Sequence, residues 1–179
     1  PAPPDDGIEP AEPKEVVGLT ILIDFPDQKS NITRETIENF CNQPGYTGNN
    51  NNGSVFDYFR DVSNGLMLYT NIVTPFITAE KNKTYYDRGE NYPYVQELLT
   101  NILTNLKNQG FDLSRVSVSN NRVIALNVFY AGSATAGWAN GLWPHSGTYR
   151  GGVTINGIGF SRYQLASLGS VPTLGTFVH

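Results

Sequence analysis

The chain has 179 residues, and 12 Lys or Arg against 16 Asp or Glu give it a net charge of −4. Hydrophobic residues make up 39% and charged residues 16%, which indicates one globular domain and excludes a disordered chain. No apolar run approaches the roughly 18–20 residues that a membrane helix needs, and no basic patch is present. We therefore expect neither a membrane span nor nucleic-acid binding.

The cysteine count and the polar composition both concern the compartment of the protein. The single cysteine, Cys41, excludes an internal disulfide and a two-cysteine zinc motif within this chain. The chain is rich in Asn, has 10 Tyr and 18 Gly, and carries few charges. This composition is common in secreted proteins, and we expect an extracellular location.

The chain opens with a segment that has almost nothing to bury. Residues 1–15 (PAPPDDGIEPAEPKE) hold five prolines among acidic residues, which predicts an extended acidic lead or linker ahead of a domain over 16–179. The apolar run over 16–25 is rich in β-branched residues and stops at Pro26. It predicts a strand that is buried on both faces of a sheet.

Two helices with clear start signals follow this strand. Thr33 is a suitable N-cap for the first, which Pro44-Gly45 ends. Ser54 begins the second, with Asp57 completing a capping-box pair. The Asn-rich stretch over 48–53, between the two helices, predicts a flexible surface loop.

The central part of the chain predicts a strand, a long helix and another strand. Residues 66–78 form the first strand, which Pro75 is expected to break. The helix covers 93–109 and ends at Gly110, where Phe111 can fold back on Leu106. The next buried strand covers 122–131. The apolar stripe of the helix indicates that it lies across a sheet, through Val95, Leu98, Leu99, Ile102, Leu103 and Leu106.

The composition changes from residue 132 onward. Gly, Ser, Ala, Trp and Asn dominate up to residue 159, and only short strand-like pieces occur, over 153–155 and 163–167. The order of strands and helices predicts an α/β or α+β layered fold with the long helix behind the sheet.

Few side chains in the sequence have catalytic or metal-binding chemistry. Cys41 lies on the apolar face of the first helix and is interpreted as a packing residue. Asp24 and Asp27 flank Pro26, where they fit either a calcium site or a capped polar turn, with the turn favoured. Trp143 and His145 lie in a rigid aromatic segment that suits the wall of a cleft and equally a surface loop.

The last five residues, Gly175–His179 (GTFVH), resemble the start of a zinc-binding helix. In the H-E-x-x-H motif two histidines one helical turn apart reach the same Zn²⁺, and the Glu faces the metal-bound water. The sequence given holds the first letter of that motif, at His179.

Four segments in the same order resemble the immune inhibitor A-like family of secreted zinc metalloproteases. They cover most of the chain from residue 16 onward. They are Val17–Asp27 (VGLTILIDFPD), Ser54–Gly65 (SVFDYFRDVSNG), Leu142–His145 (LWPH) and Gly175–His179 (GTFVH).

The resemblance implies an α+β, zincin-like fold, with a twisted mixed sheet, a long backing helix over 93–109 and the zinc helix beneath the sheet. It implies that His179 is the first zinc ligand and that a peptide or protein substrate lies extended along an edge strand. We place Trp143 and His145 near that substrate cleft. Family members continue with a general-base Glu and a second His, so the sequence as given is expected to be inactive alone.

A second interpretation stays open at this point. A zincin-like scaffold without catalysis can present loops rich in Asn, Tyr and Trp to a glycan or a protein, as a binding or adhesion domain. The acidic, Pro-rich start also fits a linker ahead of a structural stalk module. The residues encoded after His179 distinguish these alternatives from the protease.

Overall fold

A computed structural model describes residues 11–89, 91–135, 137–138, 140–169 and 172–178. The first half of the chain contains β1 (Lys14–Asp24), α1 (Arg34–Asn42), α2 (Val55–Val62), β2 (Met67–Thr78), α3 (Lys83–Tyr86) and α4 (Asn91–Asn108). The second half contains β3 (Val118–Ser119), β4 (Arg122–Val123), β5 (Leu126–Tyr130), β6 (His145–Thr148), β7 (Thr154–Ile155), β8 (Ile158–Gly159), β9 (Arg162–Ser167) and α5 (Leu174–Val178).

The main sheet has the strand order β2-β1-β5-β9-β6. The first four of these strands are parallel, and β6 pairs antiparallel with β9 at one edge. A smaller sheet, with the order β3-β4-β8-β7, combines parallel and antiparallel pairs. The prediction of a fold with mixed sheets and packed helices is confirmed at this level.

The side chains of β1 divide the helices between the two faces of the sheet. Leu19, Ile21 and Ile23 point toward α4 and are fully buried. Val16 and Leu22 point to the opposite face, where α1, α2 and α5 pack. Because β2 and β5 lie on opposite sides of β1, right-handed crossovers place their helices on opposite faces of the sheet. We call these two faces the α4 face and the α1 face.

The helix caps follow the sequence signals closely. The Thr33 hydroxyl accepts a hydrogen bond from the Thr36 N–H at 3.1 Å, and Ser54 and Asp57 form a capping box. At the end of α4, the Phe111 N–H donates to the Leu106 carbonyl with Gly110 at φ 68°, which is the fold-back that the sequence predicts. The predicted apolar stripe of α4 is buried, through Val95, Leu98, Leu99, Ile102, Leu103 and Leu106.

Two expectations for the strands need correction. Lys14 and Glu15, assigned to the lead from sequence, already pair with Met67 and Leu68 of β2. Residues 1–10 of that lead lie outside the described residues. Pro75 does not end β2, because it lies in an edge strand, where a missing N–H is tolerated.

The strand passes Pro75 through a local irregularity in its pairing. The register with β1 shifts between Thr20 and Leu22. The Leu22 N–H there donates to the Thr74 hydroxyl at 3.1 Å, so a side chain takes the place of a backbone acceptor.

The outer edge of β2 is closed by side chains of α1. The Asn42 carboxamide accepts from the Asn71 N–H at 2.7 Å and donates to the Asn71 carbonyl at 2.9 Å. Arg34 Nε donates to the Val73 carbonyl at 3.0 Å. These contacts imitate a further strand, and they shield an edge that would otherwise pair with other chains.

We expect the substitution Asn42→Ala to destabilise the fold by about 1–3 kcal/mol, since it leaves the N–H and carbonyl of Asn71 without partners. Urea unfolding followed by circular dichroism measures the change. Asn39→Ala is the matched control, because the same substitution in the same helix removes no described side-chain hydrogen bond. An equal loss of stability in both variants would show that the two hydrogen bonds between Asn42 and the Asn71 backbone do not stabilise the fold.

Candidate functional site: a cavity beside an open sheet edge

A cavity of about 890 Å³ lies on the α1 face of the main sheet. This volume is within the range of known ligand pockets. Most of its wall is apolar and comes from α2, β2, α5 and the segment before β6. The wall includes Phe59, Met67, Ile124, Trp143, Phe177 and Val178.

Helix α5 forms one side of the cavity and is fixed at both of its ends. The Asn51 carboxamide accepts from the Leu174 N–H at 2.9 Å and donates to the Pro172 carbonyl at 3.1 Å. At the other end, Gln164 of β9 donates through Nε2 to the Phe177 carbonyl. The loop over 48–53, predicted to be a flexible surface loop, therefore contributes the side chain that holds the start of α5.

The Phe177 side chain anchors α5 to the sheet and to α1. Its ring packs edge-on against Phe40 at 6.1 Å and lies 5.7 Å from the Phe129 ring. Phe177 is 4% exposed. The direction of α5 is thus set by aromatic packing in addition to the two amide side chains.

A buried polar cluster forms the floor of the cavity. Asn71 Oδ1 accepts hydrogen bonds from Thr20, Tyr69 and Asn127 at 3.0–3.1 Å. Burial raises the pKa of Tyr69 to about 12, against smaller opposing effects of its hydrogen bonds with Asn127 and Asn71. The hydroxyl therefore stays protonated and remains a donor at neutral pH.

The floor cluster depends on a glycine in β1. A Cβ on Gly18 would lie 2.5 Å from the Tyr69 hydroxyl and 2.8 Å from Asn71 Oδ1. Asn71 Nδ2 is buried and has no hydrogen-bond partner among the described residues. The cluster thus holds a buried amide N–H group without a described partner beneath an apolar cavity. Such a group lowers the stability of an isolated domain.

Strand β6 forms the edge of the sheet beside the cavity. The Tyr149 N–H donates to the Ser161 carbonyl, and the register pairs Gly147 with Tyr163. Hydrogen-bonded and non-bonded pairs alternate in an antiparallel ladder, so the N–H and carbonyl of Ser146 point away from β9. Among the described residues, none bonds these two groups, whereas Gln96 covers the Thr148 carbonyl at 3.1 Å.

Trp143 and His145, predicted near a substrate cleft, both line the cavity. The His145 ring itself is engaged by two partners. Its Nδ1 lies 2.6 Å from the Trp143 carbonyl, and its Nε2 lies 2.9 Å from the Tyr163 hydroxyl. Tyr163 belongs to the core on the α4 face, so the imidazole lies on that face of β6. The side chains of Ser146 and Gln164 lie on the opposite face, where α5 packs.

The loop before β6 is anchored by a buried ion pair that the sequence analysis missed. Asp87 accepts from the Leu142 N–H at 2.9 Å and from Lys83 Nζ at 2.9 Å, and it also accepts from the Thr135 hydroxyl. Burial alone would raise the pKa of Asp87, but the hydrogen bonds from Leu142, Thr135 and Lys83 outweigh it, and the pKa is lowered. The i,i+4 spacing of Lys83 and Asp87 was the available sequence signal.

The carboxylates considered for calcium have other partners. Asp24 Oδ1 lies 3.0 Å from Lys29 Nζ, and Asp27 Oδ1 accepts from the Lys83 N–H at 2.8 Å. These contacts favour the capped turn, and calcium binding stays a prediction. Burial raises the pKa of Cys41 to about 12, which agrees with a packing role.

The described ranges bring together no group of three or more His, Cys, Asp and Glu side chains that could hold a metal ion. His179, the predicted zinc ligand, lies outside the described residues. Zinc binding therefore also stays a prediction, and it needs ligands beyond those that the described part of the chain provides.

Neither the models of known protein families nor the curated proteins match this chain. Within the described residues, no helix is long and apolar enough to cross a membrane, as the composition predicts.

We expect Asp87→Asn to lower the free energy of unfolding by about 3 kcal/mol at pH 7, because it leaves the buried Lys83 ammonium without a counter-charge. The pKa of Asp87 is lower in the folded state, so its contribution is present above the unfolded pKa of about 3.9 and is lost as pH falls through the folded value. The difference between the two proteins should therefore shrink below about pH 4.

Urea unfolding at pH 7 and at acid pH measures this change. Asp61→Asn is the control, since Asp61 pairs with Arg60 at an exposed position and should cost less than about 1 kcal/mol. A loss for Asp87→Asn that stays constant at acid pH would contradict the role of its charge.

Proposed function

We propose that this chain is the N-terminal part of a secreted zinc-dependent metalloendopeptidase with a zincin-like fold. His179 is its first zinc ligand, and an extended peptide or protein substrate binds along β6. The resemblance of four ordered segments to the immune inhibitor A-like family motivates this proposal. The geometry of the sheet, the cavity and α5 supports it.

The arrangement of the main sheet supports the proposed zincin-like fold. A mixed sheet has α4 as the long helix on one face, and a single antiparallel strand, β6, forms one edge. Helix α5 lies on the other face, beneath the sheet. These positions support the proposed roles of α4 as the backing helix, β6 as the substrate-binding edge and α5 as the start of the zinc helix.

One observation carries the proposal further than the others. Helix α5, which leads to His179, lines the same cavity as the segment that begins the open edge strand β6. The opposite edge of the sheet is covered by Asn42 and Arg34. The edge that is free to pair with a peptide is thus the one beside the cavity that α5 lines.

In this proposal, residues of the chain bind the substrate. An extended peptide can add a strand to a free edge, and its backbone then pairs with the outward groups of that edge. The N–H and carbonyl of Ser146 provide such a pair. The apolar wall at Trp143 lies beside them and can receive a substrate side chain.

The metal chemistry requires residues that this sequence does not contain. In enzymes of this class, zinc supplies a water of lowered pKa and polarises the scissile carbonyl. One imidazole is not sufficient, because catalytic zinc sites have three protein ligands. The proposal therefore depends on the residues that follow His179 in the encoded protein.

The first test is to read the encoded sequence after His179 and to purify the protein that includes it. We expect Glu-x-x-His next, about one zinc per chain, and casein hydrolysis that a chelator abolishes. A protein without zinc and without cleavage would overturn the proposal. It would leave a zincin-like binding or adhesion domain as the better interpretation.

We expect His179→Ala in that protein to lose both bound zinc and casein hydrolysis, because two remaining ligands hold zinc weakly. Atomic emission and a casein assay measure the two properties. His145→Asn is the matched control for zinc content, since His145 is the other histidine of the chain and its ring is bonded to Trp143 and Tyr163. Retention of zinc by His179→Ala would contradict the assignment of the ligand.

A further inference from the structure

The His145 imidazole joins two parts of the structure behind the edge strand. A carbonyl only accepts hydrogen bonds, so Nδ1 carries the proton and donates to the Trp143 carbonyl at 2.6 Å. In the neutral ring, Nε2 then accepts from the Tyr163 hydroxyl at 2.9 Å. The two rings also meet edge-on, with centroids 5.5 Å apart.

A glycine makes this contact possible. Tyr163 pairs with Gly147 across the two strands, and a Cβ on Gly147 would lie 2.7 Å from the Tyr163 hydroxyl. The tyrosine ring therefore passes over Gly147 to reach His145. Tyr163 itself is 2% exposed, so the hydroxyl is fixed by the core on the α4 face.

The contact lies on the face of β6 opposite to α5. His145, Gly147 and Tyr163 share the α4 face, whereas Ser146 and Gln164 share the α1 face with the cavity. The hydrogen bonds of His145 thus fix the strand from behind and leave its outer edge open. They also fix the backbone carbonyl of Trp143, a residue that lines the cavity.

We propose that His145 is a positioning residue for an extended peptide substrate, because its bridge between the Trp143 carbonyl and the Tyr163 hydroxyl fixes both β6 and Trp143. This inference rests on the proposed function and deepens it. It assigns His145 a role that acts through Trp143 and β6.

Amide exchange in the chain described here tests the bridge without any catalysis. Tyr163→Phe removes the hydrogen bond to Nε2 of His145, and His145→Ala removes both hydrogen bonds of the imidazole. We expect the Gly147 amide to exchange about 2- to 10-fold faster in Tyr163→Phe and faster again in His145→Ala. His145→Asn keeps a donor for the Trp143 carbonyl and should restore part of the protection lost in His145→Ala.

Tyr149→Phe is the matched control for these variants. The Tyr149 hydroxyl is also buried on the α4 side, at 3.1 Å from Thr100 of α4, and Tyr149 is 4% exposed. It contacts neither His145 nor Trp143 in any described hydrogen bond. Faster exchange of Gly147 to the same degree in Tyr149→Phe would overturn the bridge, since the effect would then be a general loss of stability.

Trp143 provides a second readout in a protein that carries Trp138→Phe. Trp138 is 80% exposed and is the other tryptophan of the chain. In that background we expect His145→Ala to increase the quenching of Trp143 fluorescence by acrylamide. Unchanged quenching together with unchanged exchange would overturn the proposal.

Kinetics in the protein that continues beyond His179 separate positioning from catalysis. We expect Tyr163→Phe to raise KM for a peptide about 3- to 10-fold while kcat stays within about twofold, since it weakens substrate binding alone. A fall in kcat at unchanged KM would overturn the positioning role. If the unsubstituted protein cleaves no peptide, the proposed function fails, whereas the exchange and quenching results still decide the bridge.

Discussion

The burial of β1 on both faces is the constraint on which the rest of the structure depends. Its buried odd-numbered side chains lie on the α4 face, and its buried even-numbered side chains lie on the face where α1, α2 and α5 pack. Neighbours on both sides also satisfy its backbone, through β2 and β5. Once β1 is central, its α1 face carries Gly18 and Thr20, which are small enough to admit the polar cluster of the cavity floor.

Asparagine side chains form several of the hydrogen bonds that hold a sheet edge and a helix start around this core. A carboxamide has one donor and one acceptor group side by side, so it can replace a peptide group in a strand or at a helix start. Asn42 does so at the edge of β2, and Asn51 does so at the start of α5. The high Asn content, taken from sequence as a sign of secretion, thus has a structural cause in part. Asn71 and Asn127 add the buried cluster under the cavity.

The sequence predicts best those elements whose local pattern and tertiary packing agree. The stripe of α4, the helices capped by Thr33 and Ser54, and the apolar run of β1 each combine an apolar pattern with a start or stop signal. Strand β6 has four residues, HSGT, without alternation, so no pattern indicates it. Trp143 and His145 were placed near a cleft by resemblance, but one of the two partners of the His145 ring, the Tyr163 hydroxyl, comes from a strand 18 residues away. Such long-range pairs leave no local signal.

Two surfaces that would be stabilised by a partner lie next to each other, the outer edge of β6 and the apolar wall of the cavity. The outward groups of Ser146 need hydrogen-bond partners, and the apolar wall around Trp143, Phe177 and Val178 gains from being covered. Asn42 closes the opposite edge of the main sheet, Asn51 bonds the start of α5, and Gln96 covers the Thr148 carbonyl of β6, so among these described groups the outward groups of Ser146 are the exception. Under the proposed function, a substrate peptide meets both requirements: its backbone pairs with Ser146, and one of its side chains contacts the apolar wall at Trp143. The hydrogen bonds of His145 then stabilise the position of β6, because this edge strand has a neighbouring strand on one side only and depends on contacts on the α4 face.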